Sequence, residues 1–221
     1  MQKALTLHRT TVGMKAILGV TGVVLYGFVI AHMIGNLQIF IGAEKINAYS
    51  ETLHSLPSLL WIARIVLLVS VVAHIATALR LNDHNSAARQ DRYHGKRDVA
   101  TNYAAKTMML SGPILALFIA YHLLHLTAGW EMSSSYAHST TDVYANLVHG
   151  FSVPWVAAIY IVANLFLGAH LYHGVWSVFQ SLGLAHTRYN ALRRYFATAV
   201  AVVVTAGNVA IPTAVLAGWV S

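Results

Sequence analysis

The sequence predicts an all-α membrane protein, a bundle of five transmembrane helices, and three observations support this prediction. Of the 221 residues, 57% are hydrophobic and only 10% are charged, whereas a soluble domain carries about 25% charged residues. Five stretches each supply the roughly 20 largely apolar residues that a spanning helix needs. The chain contains no cysteine, which excludes disulfides, iron–sulfur ligation by this chain, c-type haem attachment and thiolate zinc sites.

The five apolar segments are joined by polar connections, and together they predict one transmembrane domain over 1–221. The first segment exceeds the ~7–15 apolar residues of a signal peptide, so we expect a retained helix. The connections are a tail (1–15) and loops near 41–57, 81–106, 130–152 and 180–195. The segments cover about 16–40, 58–80, 107–129, 153–179 and 196–219.

The basic residues lie almost entirely on one side of the predicted membrane. Lys45 is alone on the other side, and Arg64 lies within the second segment. The positive-inside rule therefore predicts a cytoplasmic N-terminus and an external C-terminus. Because topology explains the net charge of +7, no nucleic-acid partner is expected, while a cytoplasmic protein partner fits. The twelve residues on the basic side are Lys3, Arg9, Lys15, Arg80, Arg89, Arg92, Lys96, Arg97, Lys106, Arg188, Arg193 and Arg194.

Four histidines are the candidate functional residues, one on each of the first four segments. With a helix rise of about 1.5 Å per residue, His32 and His122 fall ~22 Å from the cytoplasmic side. His74 falls ~6 Å from that side and His170 within a few Å of the same level, so the two levels are ~15 Å apart. A single buried histidine is more often a hydrogen-bonding core residue, but four that match two by two favour cofactor ligation.

Two pairs of imidazoles inside a helix bundle are what two bis-histidine haems require. In an up-down bundle, helices 1 and 3 are diagonal, as are helices 2 and 4. This predicts an outer haem between His32 and His122. It also predicts an inner haem between His74 and His170.

Three further residues accompany these pairs. His125 and His173 each follow a predicted ligand by three residues on nearly the same helix face. We expect them to support the haems, for example by hydrogen bonds to propionates. Arg64 either pairs with a propionate of the outer haem or extends to the outer interface, and the sequence leaves both interpretations open.

Four short motifs follow one another along the chain. They are His32-Met33-Ile34-Gly35-Asn36, Ser55-Leu56-Pro57, Gly112 ten residues before His122, and His170-Leu171-Tyr172-His173-Gly174-Val175-Trp176-Ser177. In this order and spacing they resemble the cytochrome b subunit of succinate dehydrogenase / fumarate reductase in its single-subunit, five-helix, dihaem form, and the similarity covers essentially the whole chain. In this resemblance, the spacing from Gly112 favours His122 over His125, and the His-x-x-x-Gly-x-Trp-Ser pattern favours His170 over His173.

The resemblance implies a membrane anchor in a respiratory complex of the bacterial cytoplasmic membrane. Its implied cofactors are two haem b groups, and its implied substrate is a quinone, either menaquinone or ubiquinone. The implied partners are a flavoprotein subunit and an iron–sulfur subunit on the cytoplasmic face, and a higher oligomer of the complex is allowed. In the menaquinol-oxidising branch a Glu precedes the fourth ligand by two positions, but here that position is Gly168, so the proton route of that branch is in doubt.

The quinone site is hypothesised in the loop before the second helix, where Tyr49, Glu51 and His54 collect near the outer haem. A solvated outer loop and a site near the inner haem remain open alternatives.

Two other functions of the chain also remain open. One is a dihaem subunit of a hydrogenase or formate dehydrogenase, and the other is a haem-free transporter that relays protons through histidine.

Overall fold

The computed structural model describes residues 10–87, 103–130 and 137–221. In these ranges the protein is helical, with no strand, and five helices are long and apolar enough to cross a membrane. The predicted all-helical membrane fold is thereby confirmed at this level. Some residues behind the topology prediction lie outside the described side chains, namely Lys3, Arg9, Arg89, Arg92, Lys96, Arg97 and Lys106.

Seven α-helices follow one another along the described chain. The spanning helices are α1, α3, α4, α6 and α7, whereas α2 and α5 are short. Their bounds are α1 Thr11–Asn36, α2 Ala43–His54, α3 Pro57–Ala87, α4 Tyr103–His122, α5 Val143–Phe151, α6 Pro154–Ser181 and α7 Asn190–Leu216.

Several spanning helices are longer than hydropathy predicted. Helix α1 begins five residues early because the Thr10 side chain accepts a hydrogen bond from Gly13 N at 3.0 Å and caps the helix. Helix α3 continues to Ala87, and α7 begins at Asn190 instead of 196. The polar ends of these helices lie beyond the apolar stretch, so a hydropathy window does not detect them.

Two regions predicted as loops contain helices, which corrects the sequence-based reading. Helix α2 lies in 41–57 and α5 in 130–152. Asp142 caps α5 by accepting from Ala145 N at 3.0 Å, and its Oδ1 also accepts from Asn47 Nδ2 at 3.0 Å. Asn47 Oδ1 in turn accepts from Tyr144 N at 3.0 Å. This reciprocal contact, the α2–α5 latch, joins the two short helices outside the spanning segments.

The spanning helices pack unequally. Helix α1 packs along both α3 and α6, α4 packs on α6, and α7 packs on α6. Val175 of α6 and Val204 of α7 lie at the centre of one apolar cluster. In its most apolar window, α3 buries only 6% of its residues, whereas α6 buries 39%. Helix α3 thus packs on α1, helix α4 packs on α6, and the α1–α6 contact joins these two pairs of helices.

Candidate functional site

The structure brings the four histidines together as two pairs, each across a diagonal of the bundle. His74 of α3 faces His170 of α6, with ring centres 6.4 Å apart and planes inclined by 57°. His32 of α1 faces His122 of α4, with centres 5.8 Å apart and planes at 87°. These are the pairs that the depth count predicted. That they bind haem stays a prediction.

The ring separation of the inner pair, 6.4 Å, suits two imidazoles on opposite sides of one metal ion, and that of the outer pair, 5.8 Å, is somewhat shorter. A metal–nitrogen bond to histidine is about 2.0–2.1 Å long, and the ring centre lies roughly 1.1 Å further, so two opposed rings have centres ~6.2–6.4 Å apart. Both rings contain the bond axis, so their interplanar angle is free to vary. Among the described residues, no group of three or more His, Asp or Glu side chains could hold a bare metal ion. Each pair offers two imidazoles, which is the donor set of a bis-imidazole haem.

His74 is oriented by a hydroxyl of the neighbouring helix. Its Nδ1 lies 2.9 Å from Thr21 Oγ1 of α1. Thr21 donates its one hydroxyl proton to the carbonyl of Ile17 at 2.7 Å, so in this contact it accepts from His74 Nδ1–H. The proton on Nδ1 leaves the Nε2 lone pair available, which is the tautomer that a metal-binding histidine needs.

His170 has a similar partner on α4. Its Nδ1 lies 3.2 Å from Ser111 Oγ, and Ser111 also lies 3.4 Å from the carbonyl oxygen of Met108. Ser111 is nearly fully buried, with 1% of its surface exposed. A hydrogen bond from Nδ1 to this hydroxyl again leaves the Nε2 lone pair available.

These two hydroxyls were missed in the sequence, although a spacing points to them. Thr21 precedes His32 by eleven residues, and Ser111 precedes His122 by the same number. Eleven residues are three helical turns, so each hydroxyl shares a face with a histidine ~16 Å along the axis. Helices α1 and α4 thus each present a hydroxyl to the inner pair and an imidazole to the outer pair. This places the two pairs at two levels.

The outer pair has different neighbours. His32 Nε2 lies 3.0 Å from the amide nitrogen of Asn36 on the same helix. Nδ1 of His122 is buried and has no hydrogen-bond partner among the described residues. Aromatic rings take the place of hydroxyls: Phe28 stacks on His32 at 5.3 Å, and Phe118 lies 5.9 Å from His122. A buried, unpaired imidazole nitrogen is costly, and no side-chain hydroxyl is seen to orient His122 in the way that Thr21 and Ser111 contact the inner pair.

His125 lies in a π-helical turn, Leu123–Thr127, that follows α4. π-Bulges of this kind occur frequently at functional sites. The His125 Nδ1 lies 2.9 Å from the hydroxyl of Tyr160, and Tyr121 stacks on the His125 ring at 5.6 Å. The Nδ1 of His125 therefore has Tyr160 as its hydrogen-bond partner, a neighbour that the sequence did not reveal. This arrangement fits a supporting role for His125 beside His122.

His173 keeps a buried Nδ1 without a hydrogen-bond partner in the described part of the chain. It lies one turn from His170 on α6. A polar group of a ligand in the inner site could pair with this nitrogen. The predicted supporting role of His173 therefore has a structural basis, and its function stays a prediction.

The three hypothesised quinone residues do not converge. Tyr49 is half-buried against α1, where a Cβ at Gly35 would lie 2.6 Å from its ring. Glu51 lies about 200° around the helix from Tyr49, and it is exposed. His54 is exposed too, with Nδ1 bonded to the Ser50 carbonyl of its own helix at 2.8 Å. Only Tyr49 reaches the helix that carries His32.

Arg64 lies on the exposed side of α3. Its guanidinium carbon is 5.1 Å from the centre of the Trp61 ring one turn earlier, a cation–π distance. This position favours extension to the interface, the second of the two interpretations left open by the sequence.

Gly168 is a close contact point between α6 and α7. A Cβ there would collide with the hydroxyl of Thr205. No longer side chain fits unless Thr205 moves, so the carboxylate that the resemblance places at this position in the menaquinol-oxidising branch has no room in this fold.

No protein-family model, curated protein or solved structure matches the chain. The family therefore stays a resemblance. The two histidine pairs and their neighbours are the features of the chain that bear on its function.

Proposed function

We propose that the chain is the membrane-anchor dihaem cytochrome b subunit of a succinate:quinone oxidoreductase. It would carry electrons between an iron–sulfur subunit and a membrane quinone, in the bacterial cytoplasmic membrane. The observation that supports the proposal most strongly is that four histidines of four helices lie together as two pairs, with ring centres 5.8 and 6.4 Å apart. Each pair would supply the two ligands of one bis-imidazole haem b. A bound haem b of this type supplies one-electron oxidation and reduction without an open coordination position.

Different residues of the chain would hold the two haem groups. His74 and His170 would bind the inner group, and His32 and His122 the outer one. Thr21 and Ser111 fix the tautomer and the ring direction of the inner ligands. The apolar helices would exclude water from both haem levels, so that the charge of each haem iron is held by its two histidine ligands and not by solvent.

Supporting roles follow from position. His125 and His173 each lie one turn from a ligand, where they can meet polar groups at the edge of a macrocycle. Tyr49, in contact with α1, is the member of the hypothesised quinone site that is closest to the outer pair. The iron–sulfur and flavoprotein subunits would dock at the basic side, which the positive-inside rule assigns to the cytoplasm.

Haem content per chain tests the ligand assignment. We expect the purified chain to hold about two b haems and His74→Ala or His32→Ala to hold about one, because each removes one ligand of one pair. The neighbouring His173→Ala and His125→Ala are matched controls and should each retain about two. The measurement is a pyridine haemochrome assay with a reduced-minus-oxidised spectrum. A folded wild-type chain without haem would contradict the assignment.

The electron donor tests the remaining part of the proposal. Membranes that contain the complete complex should show b-haem reduction when succinate is added, and membranes lacking this chain should not. Reduction by formate or by hydrogen, with none by succinate, would instead assign the chain to a different respiratory complex.

A further inference from the structure

The start of α7 carries concentrated positive charge. Arg193 and Arg194 lie in the first two turns, and no acidic residue accompanies them in the first turn. The preceding residue, Tyr189, makes no capping hydrogen bond through its side chain. The first N–H groups of a helix carry a partial positive charge, so two arginines here oppose the helix dipole. A bound anion at this end of the helix would offset this concentration of positive charge.

Arg193 is the residue that points to a ligand. Only 6% of its surface is exposed, and its Nε and Nη1 atoms are buried with no hydrogen-bond partner in the described residues. Its Nη2 donates to Asn190 Oδ1. A buried guanidinium normally has its donors satisfied by a carboxylate or a phosphate, so two remaining donors mark a position for an acceptor group.

Trp176 of α6 contacts both arginines. The guanidinium carbon of Arg193 is 4.9 Å from the ring centre, and that of Arg194 is 5.3 Å from it. The ring also lines a shallow cleft with Tyr172, Arg194 and Ala197. The exposed Arg194 lines the cleft, and the buried Arg193 adjoins it through the shared Trp176 ring.

We propose that this cleft, the Trp176 cleft, binds the negatively charged phosphate group of a phospholipid. Arg193 and Arg194 would hold the phosphate oxygens through paired N–H donors, which guanidinium groups offer in a fixed fork. Trp176 and Tyr172 would contact the glycerol region, as such residues do at membrane interfaces. Basic pockets between spanning helices bind anionic head groups in this way.

The location suits a lipid. Both arginines belong to the end of the fifth candidate span, Thr187–Leu216, so the cleft opens at the level of a head group. The positive-inside rule assigns this end to the cytoplasmic leaflet, where anionic lipids attract basic residues. Inorganic phosphate offers the same oxygens without acyl chains, so the experiment must separate these two sources.

The test uses the purified full chain in a neutral detergent. Its thermal unfolding midpoint is followed as phosphatidylglycerol, phosphatidylcholine or inorganic phosphate is added. Phosphatidylglycerol should raise the midpoint, because binding to the folded state stabilises it. Phosphatidylcholine, whose choline cation cancels the phosphate charge, should have little effect.

Variants assign the effect to the cleft. Arg194→Gln should weaken the apparent affinity for phosphatidylglycerol about 10-fold or more, since it removes a charge-assisted contact. Arg194 is exposed, so the variant should fold. Arg193→Lys keeps the charge but loses the fork, and it should also bind less. Arg188→Gln is the matched control, because Arg188 lies over the Tyr189 ring at 5.8 Å and does not line the cleft.

The outcomes separate the sources. Stabilisation by phosphatidylglycerol but not by phosphate, reduced only by the cleft variants, supports a lipid head group. Equal stabilisation by inorganic phosphate, reduced by the same variants, identifies free phosphate as the ligand. If Arg194→Gln and Arg188→Gln respond alike, or phosphatidylcholine acts as well as phosphatidylglycerol, the proposal is wrong. Haem content is independent of all these results.

Discussion

The inner and outer histidine pairs have similar ring separations but are oriented by different forces. In the inner pair, each Nδ1 meets a hydroxyl on another helix, Thr21 for His74 and Ser111 for His170. In the outer pair, His32 meets only Asn36 of its own helix, and aromatic rings surround both members. A hydrogen bond fixes both a direction and a tautomer, whereas aromatic packing fixes position alone. The inner pair is therefore the more completely preorganised for a metal.

The largest effect expected from this difference concerns the partner of His74. Thr21→Val keeps the shape of the side chain and removes the acceptor, and such a loss beside a metal ligand typically costs ~10–100-fold in affinity. The midpoint potential of the inner haem should also rise, because a less basic imidazole stabilises the oxidised iron less. Haem retention during dilution and a redox titration measure the two effects.

Asn36→Leu on the outer side is the contrasting change. Since the Asn36 amide occupies Nε2 of His32, its removal should not lower haem affinity. Thr21→Ser keeps the hydroxyl and should restore the inner site. Equal losses in Thr21→Val and Asn36→Leu would contradict the distinction between the two pairs.

The next effect concerns the space beside each pair. A Cβ at Gly35, near the outer pair, would lie 2.6 Å from Tyr49, whereas a Cβ at Gly22, near the inner pair, would lie 3.7 Å from His74. Gly35→Ala should therefore destabilise the fold by about 1–3 kcal/mol through overpacking, while Gly22→Ala should be nearly neutral. Thermal unfolding in detergent compares the two variants.

Quinone turnover should fall in Gly35→Ala if Tyr49 contributes to the quinone site, and Tyr49→Phe tests that contribution directly.

A smaller effect concerns the α2–α5 latch, which lies outside the spanning helices. Asp142→Ala removes the cap of α5 and should cost about 1 kcal/mol. The N–H of Ala145 and the amide of Asn47 hold the pKa of Asp142 below its ordinary value of 3.8. The carboxylate therefore stabilises the latch above that pH, and this contribution is lost as pH falls through the lowered pKa of the folded state.

Hydrogen exchange of the α5 amides as a function of pH measures this contribution. Protection should decrease at the acid end in the wild type. In Asp142→Asn, which keeps a capping side chain but cannot ionise, this acid-dependent loss should be absent. Identical pH profiles for the two proteins would contradict the role given to the carboxylate.

The smallest effect is expected at Arg64. Its exposed contact with Trp61 is worth about 0.5–1 kcal/mol at most, and the side chain lies on the exposed side of α3. Arg64→Gln should leave the haem content and the outer-haem spectrum unchanged. A shift of the outer-haem potential in this variant would restore the alternative in which Arg64 pairs with a propionate.

The sequence by itself determined the five spans, because an apolar run of sufficient length has to satisfy its backbone internally in a bilayer. It also determined which histidines could pair, since a regular rise converts position into depth. Both inferences depend on residues that are close along the chain. The same locality led to underestimated helix ends. The sequence-based prediction also missed α2, whose sequence is polar, and α5, whose nine residues are too short for a spanning segment.

Only the tertiary structure decided which side chains orient the histidines. Thr21 and His74 are 53 residues apart in the chain, and Ser111 and His170 are 59 apart. Helix rotation and tilt decide such contacts, and these depend on the packing of all neighbouring helices. The same holds for Arg193, which the sequence placed in a basic loop, whereas packing buries it against Trp176. Burial of a charge is a property of the assembled bundle, because only the neighbours decide whether water reaches it.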